Sequence, residues 1–175
     1  ALVFTRTKHR ANRLFKHLTR EGISAERIHG NRSQAQRTKA LAGFKNGHYQ
    51  VLVATDIAAR GIDVKALGHV VNFDVPAVPD DYIHRVGRTG RAEATGEALT
   101  FVSREEGGDL ARIERAVGKQ IARVTLPGFD YKAKPAAALE VPARERIAAI
   151  RARKREERAR AKVNAERRAA RRSGS

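Results

Sequence analysis

The residues able to do chemistry in this sequence gather in three glycine-containing segments. The first is His29-Gly30-Asn31-Arg32-Ser33-Gln34-Ala35-Gln36-Arg37. It reads as a strand end, a glycine and a helix start that Ser33 can cap. A helix N-terminus offers unbonded backbone N–H groups and the positive end of a dipole, which suits a phosphate. Gln34 and Arg37 are three apart and share one helical face. The same pattern also fits an ordinary strand-to-helix loop with polar surface residues. The second segment runs from Val51 to Val64 and carries Thr55-Asp56 followed by Arg60-Gly61-Ile62-Asp63. A carboxylate there can accept hydrogen bonds from a ribose, and a Thr hydroxyl with backbone N–H groups can hold a phosphate. Asp56 could equally be a helix cap. The third is His84-Arg85-Val86-Gly87-Arg88-Thr89-Gly90-Arg91, with three arginines and one histidine in eight residues. Arginines at three-residue spacing, on a backbone that glycines let turn closely, can grip one phosphate group bidentately. No Gly-Lys-Ser or Gly-Lys-Thr occurs anywhere, so none of these is a Walker A loop.

Such loops need a scaffold, and the apolar periodicity supplies one. Short strands are expected at Leu2–Thr5, Ala25–His29, Val51–Ala54, Val70–Phe73, Ala98–Val102 and Ile121–Leu126. Between them lie helical patterns. One is capped by Thr7, with Ala11, Leu14, Phe15 and Leu18 on one face, and one by Ser33, running through Ala40, Leu41 and Phe44. A short helix begins at Asp80 or Asp81, and another covers Leu110–Val117. Strands alternating with amphipathic helices predict an α/β domain with a mostly parallel sheet covered on both faces. In such sheets ligands sit at the carboxyl ends of the strands. The loops after Thr5, His29, Thr55 and Asp74 are therefore where function belongs.

The chain has 175 residues, enough for one domain with a real core and a tail. The expected boundaries are 1–126 for the domain, 127–142 for an Ala-, Pro- and Lys-rich linker opened by Pro127-Gly128, and 143–175 for a basic tail. Net charge is +17, and Pro142–Ser175 carries 13 Lys and Arg against 4 Asp and Glu. That balance predicts attraction to polyanions. The tail is rich in helix-forming Ala, Arg and Glu but has only Ile147, Ile150 and Val163 as larger aliphatics. It is expected to be partly helical or disordered and to touch RNA through its charge. There are no cysteines, which excludes disulfides and thiolate metal sites. No apolar run approaches a membrane span and no signal peptide opens the chain, so a cytoplasmic protein without membrane contact is expected. The chain begins inside an apolar strand, which suggests that it is cut from a longer one.

Five segments together resemble the DEAD-box RNA helicases. Phe4-Thr5-Arg6-Thr7 looks like motif IV of that family, and His29-Gly30 with Gln34 and Arg37 looks like the RNA-gripping motif after it. Ala54-Thr55-Asp56 with Arg60-Gly61-Ile62-Asp63 looks like motif V. Val71-Asn72-Phe73-Asp74-Val75-Pro76 resembles the segment that follows, and Tyr82 to Arg91 resembles motif VI. They stand in the family's order over residues 2 to 126, and His84 at the head of motif VI favours the DEAD-box group over its relatives. The Leu126-Pro127-Gly128-Phe129-Asp130-Tyr131 ending and the basic tail look bacterial.

The resemblance implies a C-terminal RecA-like three-layer domain. It implies arginine fingers at Arg88 and Arg91, worth about 10³–10⁵ in rate in enzymes that use them. ATP would be held by Gly61, Asp63, Arg88 and Arg91, with Asp63 on the ribose. Thr5, Arg6, Gly30, Gln34, Arg37 and Thr55 would hold the RNA backbone with little regard for base sequence. His84 and Arg85 would couple the cleft to the partner domain. The family's phosphate-cradling loop, its Asp-Glu-Ala-Asp metal site and its adenine-reading Gln motif have no counterpart here. They belong to an N-terminal RecA-like domain, which would bring the Mg²⁺ ligands for ATP, so this chain holds no metal ligands and is expected to be inactive as an ATPase by itself. The alternatives are a free-standing RNA-binding or RNA-chaperone module with vestigial ATP residues, and an adaptor whose tail docks on ribosome or RNA-degradation partners.

Overall fold

A computed structural model of the chain describes residues 1–60, 62, 64, 67–90 and 96–133. They lie in one compact unit, Ala1–Lys134; a second unit, Pro135–Ser175, is outside the described residues. The tail and most of the expected linker therefore lie outside them too, as do Gly61, Asp63 and Arg91.

Five strands form the sheet: β1 (Leu2–Phe4), β2 (Ala25–Ile28), β3 (Val51–Ala54), β4 (His69–Asn72) and β5 (Glu97–Thr100). All are parallel, in the order β2-β3-β1-β4-β5, with β1 at the centre. Among the described residues five helices accompany them: α1 (Lys8–Arg20), α2 (Gln34–Lys45), α3 (Asp56–Ala59), α4 (Pro79–Val86) and α5 (Gly107–Val117).

The layers follow from strand alternation. Successive side chains of a strand point to opposite faces. Leu2 and Phe4 join Ile28, Leu52, Ala40 and Phe44 on the face covered by α2 and α3. Val3 and Val53 pack with Ala11 and Leu14 of α1 on the other. Each fully buried Leu, Val or Ile contributes roughly 1.5–3 kcal/mol, which is why the centre of the sheet carries the stability. A smaller cluster of Val75, Tyr82 and Ile113 ties α4 to α5.

Helix starts follow local chemistry. Thr7 accepts a hydrogen bond from the N–H of Arg10 at the head of α1. Ser33 and Gln36 form a reciprocal capping box on α2, satisfying two otherwise unpaired donors. A turn of 3₁₀ helix at Arg104–Glu106, boxed by Ser103 and Glu106, leads into α5 three residues earlier than Leu110.

Three expectations need correction. Helix α4 starts at Pro79 with Val78 at the cap position; the fixed φ of proline presets the first turn, and Asp80 and Asp81 sit inside it. Asp56 is the first residue of α3, and Thr55 holds the cap position. Residues Ile121–Leu126 form no strand. Their end donors are taken by side chains: the Ile121 N–H by Glu114 Oε1 at 2.7 Å, the Leu126 N–H by the Tyr131 hydroxyl at 2.7 Å. Arg123 also binds Glu114, and its hydrogen bonds hold that carboxyl below the usual carboxylate range. Among the described residues, no helix is long and apolar enough to cross a membrane.

Candidate functional site

The parallel sheet puts every strand's carboxyl end on one edge, and the sequence-marked residues leave the strands there. Thr5 and Arg6 follow β1, His29 and Gly30 follow β2, Thr55 and Asp56 follow β3, and Asp74 stands just past β4. Because β1 is central and the chain crosses it between β3 and β4, this edge is a topological switch point.

Arg85 organises the middle of it. The side chain is 2% exposed and spans three elements. Its Nε and Nη2 donate to the two oxygens of Asp56 at 2.6 and 2.8 Å, a bidentate pair. Nη1 donates to Asn72 Oδ1 at 3.1 Å and to the Asp74 carbonyl at 2.9 Å. The guanidinium lies over the Phe4 ring, 5.0 Å from its centroid. A buried charge is tolerable only when so fully paired.

Beside this pair opens a cleft of about 210 Å³, lined by Phe4, Asp56, Ala59, Arg60, Asp81, His84, Arg85 and Arg88. Its wall is rich in cationic side chains. Arg60 is exposed and meets Asp81 at 3.2 Å; His84 is exposed; Arg88 gives one Nη1 hydrogen bond to the Ile62 carbonyl at 3.0 Å. The segment carrying Arg88 is pinned further on. The Thr89 hydroxyl donates to the Leu67 carbonyl at 2.5 Å, and Leu67 and Thr89 bridge in parallel. Gly96 lies against this turn so closely that a Cβ there would meet Thr89 Oγ1 at 1.8 Å and the Gly90 nitrogen at 2.8 Å.

The residues expected on RNA occupy the other half of the edge. Thr5 is fully buried and its hydroxyl donates to the Thr7 carbonyl at 3.3 Å, so it orders its loop from within. Arg6 is half-exposed; its Nη2 donates to the Val75 carbonyl and Glu106 Oε1, each at 3.0 Å. Its backbone N–H donates to Asp74 Oδ2 at 2.7 Å. Gly30 and Gln34 are exposed, and Thr55 is partly so. Arg37 donates to Gln34 Oε1 at 3.2 Å and to the Ala58 carbonyl at 3.1 Å, while its buried Nε has no hydrogen-bond partner. Beneath them His29 is sequestered: Nδ1 accepts the Asn31 N–H at 3.3 Å and Nε2 donates to Asn12 Oδ1 at 3.1 Å. Burial, and then the charges of Arg27, Arg32 and Lys8, lower its pKa from the ordinary 6.5.

Two residues of this edge figure in the sequence only as part of the segment after the third loop and are given no role there. Asp74 is 1% exposed, pairs with Arg10, accepts from the Arg6 N–H and offers its carbonyl to Arg85. Asn72 is fully buried between Arg85 and the Thr100 hydroxyl. The signal was available: two polar residues spaced by two at the end of an apolar strand share one side and must be partnered.

A five-stranded parallel sheet with helices on both faces, and loops of this kind on its carboxyl edge, defines a RecA-like α/β domain. The helicase conserved C-terminal domain family matches residues 1–93. The DEAD-box ATP-dependent RNA helicase CshA of Geobacillus kaustophilus is 49% identical over 130 residues, which is 74% of this chain and 28% of that protein. CshA of Bacillus subtilis is 48% identical over the same share of this chain and 26% of its own length. The chain thus spans about a quarter of these relatives. Among solved structures, a DEAD box protein from the hyperthermophile Methanococcus jannaschii superposes with a TM-score of 0.68 at 42% identity, covering 71% of this chain and 34% of that one. The Escherichia coli DEAD-box protein SrmB, bound to regulator of ribonuclease activity A, gives 0.64 at 35% identity over 76% of this chain and 81% of that chain. The chain belongs to the helicase conserved C-terminal domain family and is a C-terminal RecA-like domain of the bacterial DEAD-box kind.

Proposed function

We propose that this chain is the C-terminal half of an ATP-dependent RNA helicase, supplying one wall of the ATP site and half of the RNA-binding face. The observation that carries this reading is the shared edge: a cleft walled by His84, Arg60 and Arg88 stands next to the loops of Arg6, Gly30, Gln34, Arg37 and Thr55. The cleft offers a polyphosphate donors from Arg60, His84 and Arg88, while its two carboxylates, Asp56 and Asp81, are taken up by Arg85 and Arg60. Arg88 and Arg91 are the arginine fingers of the proposal, and Gly61 and Asp63 hold the nucleotide ribose side. ATP brings the phosphoanhydride to be split, and its Mg²⁺ ligands come from the N-terminal RecA-like domain. This chain's own part is to place cations where charge develops on the transferred phosphate.

Arg85 does not face the cleft as a donor. Its part in interdomain coupling is indirect: it fixes Asp56 and the frame of α4, on which His84 is carried outward to the partner domain. The RNA residues contact sugar and phosphate, so binding is largely sequence-independent. Ribosome or RNA-degradation partners of residues 143–175 belong to the same proposal, in a cytoplasmic setting.

The test is Arg88→Ala in the full-length protein that carries this chain. RNA-stimulated ATP hydrolysis is expected to fall by about 10³-fold or more, with the thermal unfolding midpoint unchanged. Wild-type turnover overturns the reading. RNA binding and annealing activity that ignore ATP altogether would instead favour a free-standing RNA chaperone.

A further inference from the structure

We propose that the solvent face of α1 is a second RNA-binding surface, a cationic ridge that takes the phosphodiester backbone onward from the loops at the carboxyl edge. The proposal rests on the helicase reading and extends it beyond the cleft.

Helix α1 has seven basic residues in thirteen and no acidic one: Lys8, His9, Arg10, Arg13, Lys16, His17 and Arg20. Its apolar stripe, Ala11, Leu14 and Leu18, faces the sheet. At 100° per residue, positions 9, 13, 16 and 20 fall on the pole opposite that stripe. His9, Lys16 and Arg20 are exposed there; Arg13 is half-buried and engaged within the protein. The pole thus carries the cations Arg13, Lys16 and Arg20 in a row, with His9 at its head. From His9 to Arg20 it runs about 16 Å at 1.5 Å per residue.

Folding asks for only part of this pattern: Arg20 in the last turn suits the helix dipole, but the spacing of like charges along the pole is not explained by it. Arg13, Lys16 and Arg20 stand three and four apart, where like charges repel and destabilise a helix. Lys8, His9 and Arg10 crowd the helix N-terminus, where the dipole disfavours cations. Arg10 is used on Asp74 and Lys8 on Asn31, but Lys16 and Arg20 point to water with no acidic residue on their helix. A polyanion repays that repulsion by releasing its counterions. The ridge is also continuous with the proposed RNA loops: the Lys8 Nζ donates to Asn31 Oδ1 at 3.0 Å, beside Gly30. An RNA strand leaving Gly30 meets the head of the helix and follows its pole.

The experiment uses the full-length protein with Lys16→Gln and Arg20→Gln together, Arg37→Ala separately, and the charge-keeping pair Lys16→Arg with Arg20→Lys. Affinity is measured across salt for a single-stranded RNA of about 8 nucleotides and one of about 30. The Gln pair is expected to weaken the long RNA about five- to tenfold and to flatten its salt slope by about 1.4, the value for two lost phosphate contacts. Binding of the short RNA should hold, the charge-keeping pair should bind as wild type, and the Gln pair should remain folded with a cooperative thermal transition. Unchanged affinity for the long RNA overturns the ridge. So does an equal loss on both RNAs. Arg37→Ala separates this from the underlying reading: it should weaken both RNAs, and if it weakens neither, the loop site fails whatever the ridge does.

Discussion

Arg85 grips both carboxylate oxygens of Asp56, at 2.6 and 2.8 Å, across 29 residues of sequence. One end of that pair is sealed in the protein and the other opens on the cleft. The pair therefore fixes the cleft wall from behind. Truncating Arg85 to Ala strands Asp56, Asn72 and the Asp74 carbonyl at once. The expected cost is about 3–5 kcal/mol, read from urea unfolding. Arg85→Lys keeps the charge but loses the fork, and should recover only part of it. A cost near zero for Arg85→Ala would show that the network is not what holds α4 against β4.

Gly96 is predicted to matter for catalysis although it lies outside the cleft. An alanine there pushes on Thr89 Oγ1, which is tied to Leu67, and on the backbone of Gly90. Neither can yield cheaply, so the turn after Arg88 must shift. Overpacking of this kind costs about 1–3 kcal/mol. In the full-length protein, Gly96→Ala should lower the rate of RNA-stimulated ATP hydrolysis while RNA affinity in the absence of nucleotide stays within twofold. A normal rate would mean that the position of Arg88 does not depend on this packing.

His29 makes the stability of the domain pH-dependent. Its pKa is lowered in the folded state, so it is neutral there over a range in which the unfolded chain binds a proton. Its contribution is fully present above the ordinary value of 6.5 and declines as pH falls from 6.5 toward the folded value. The sign follows because the unfolded state takes up the extra proton. Urea midpoints at pH 7.5 and 5.5 test this. The wild type should lose more stability on acidification than His29→Gln, and equal losses would remove His29 from the account.

How much of this was legible in the sequence depended on range. Thr7 and Ser33 announced the helices they cap, because a cap needs only its next three residues. Strands β1, β3 and β4 were marked by short apolar runs between turn residues, β2 only by Ala25 and Ile28 around two charged residues, and the carboxyl-edge rule put Thr55 and Gly30 at the strand ends where they stand. Partnerships over long separations were not legible. Arg6 meets Glu106 one hundred residues away, and nothing in either neighbourhood names the other. The same holds for the Arg85–Asp56 pair, so three arginines in eight residues looked alike although one of them is spent inside. Ile121–Leu126 failed for the opposite reason. Its residues suit a strand, but Glu114 and the Tyr131 hydroxyl claim its end donors. β-propensity states what a segment fits, and tertiary partners decide what it does.

Asp74 serves two clients with two different groups. Its carboxylate holds Arg10 and the Arg6 N–H on the side of the loop after β1, and its carbonyl holds Arg85 on the side of the cleft. One buried residue with no exposed surface to spare leaves no slack between them. Displace either side by a fraction of an ångström and the other must follow or break a hydrogen bond. On the proposed function, the domain behaves toward its two ligands as a bell-crank, one stiff piece with two arms, and communication between them is carried by turning the whole piece.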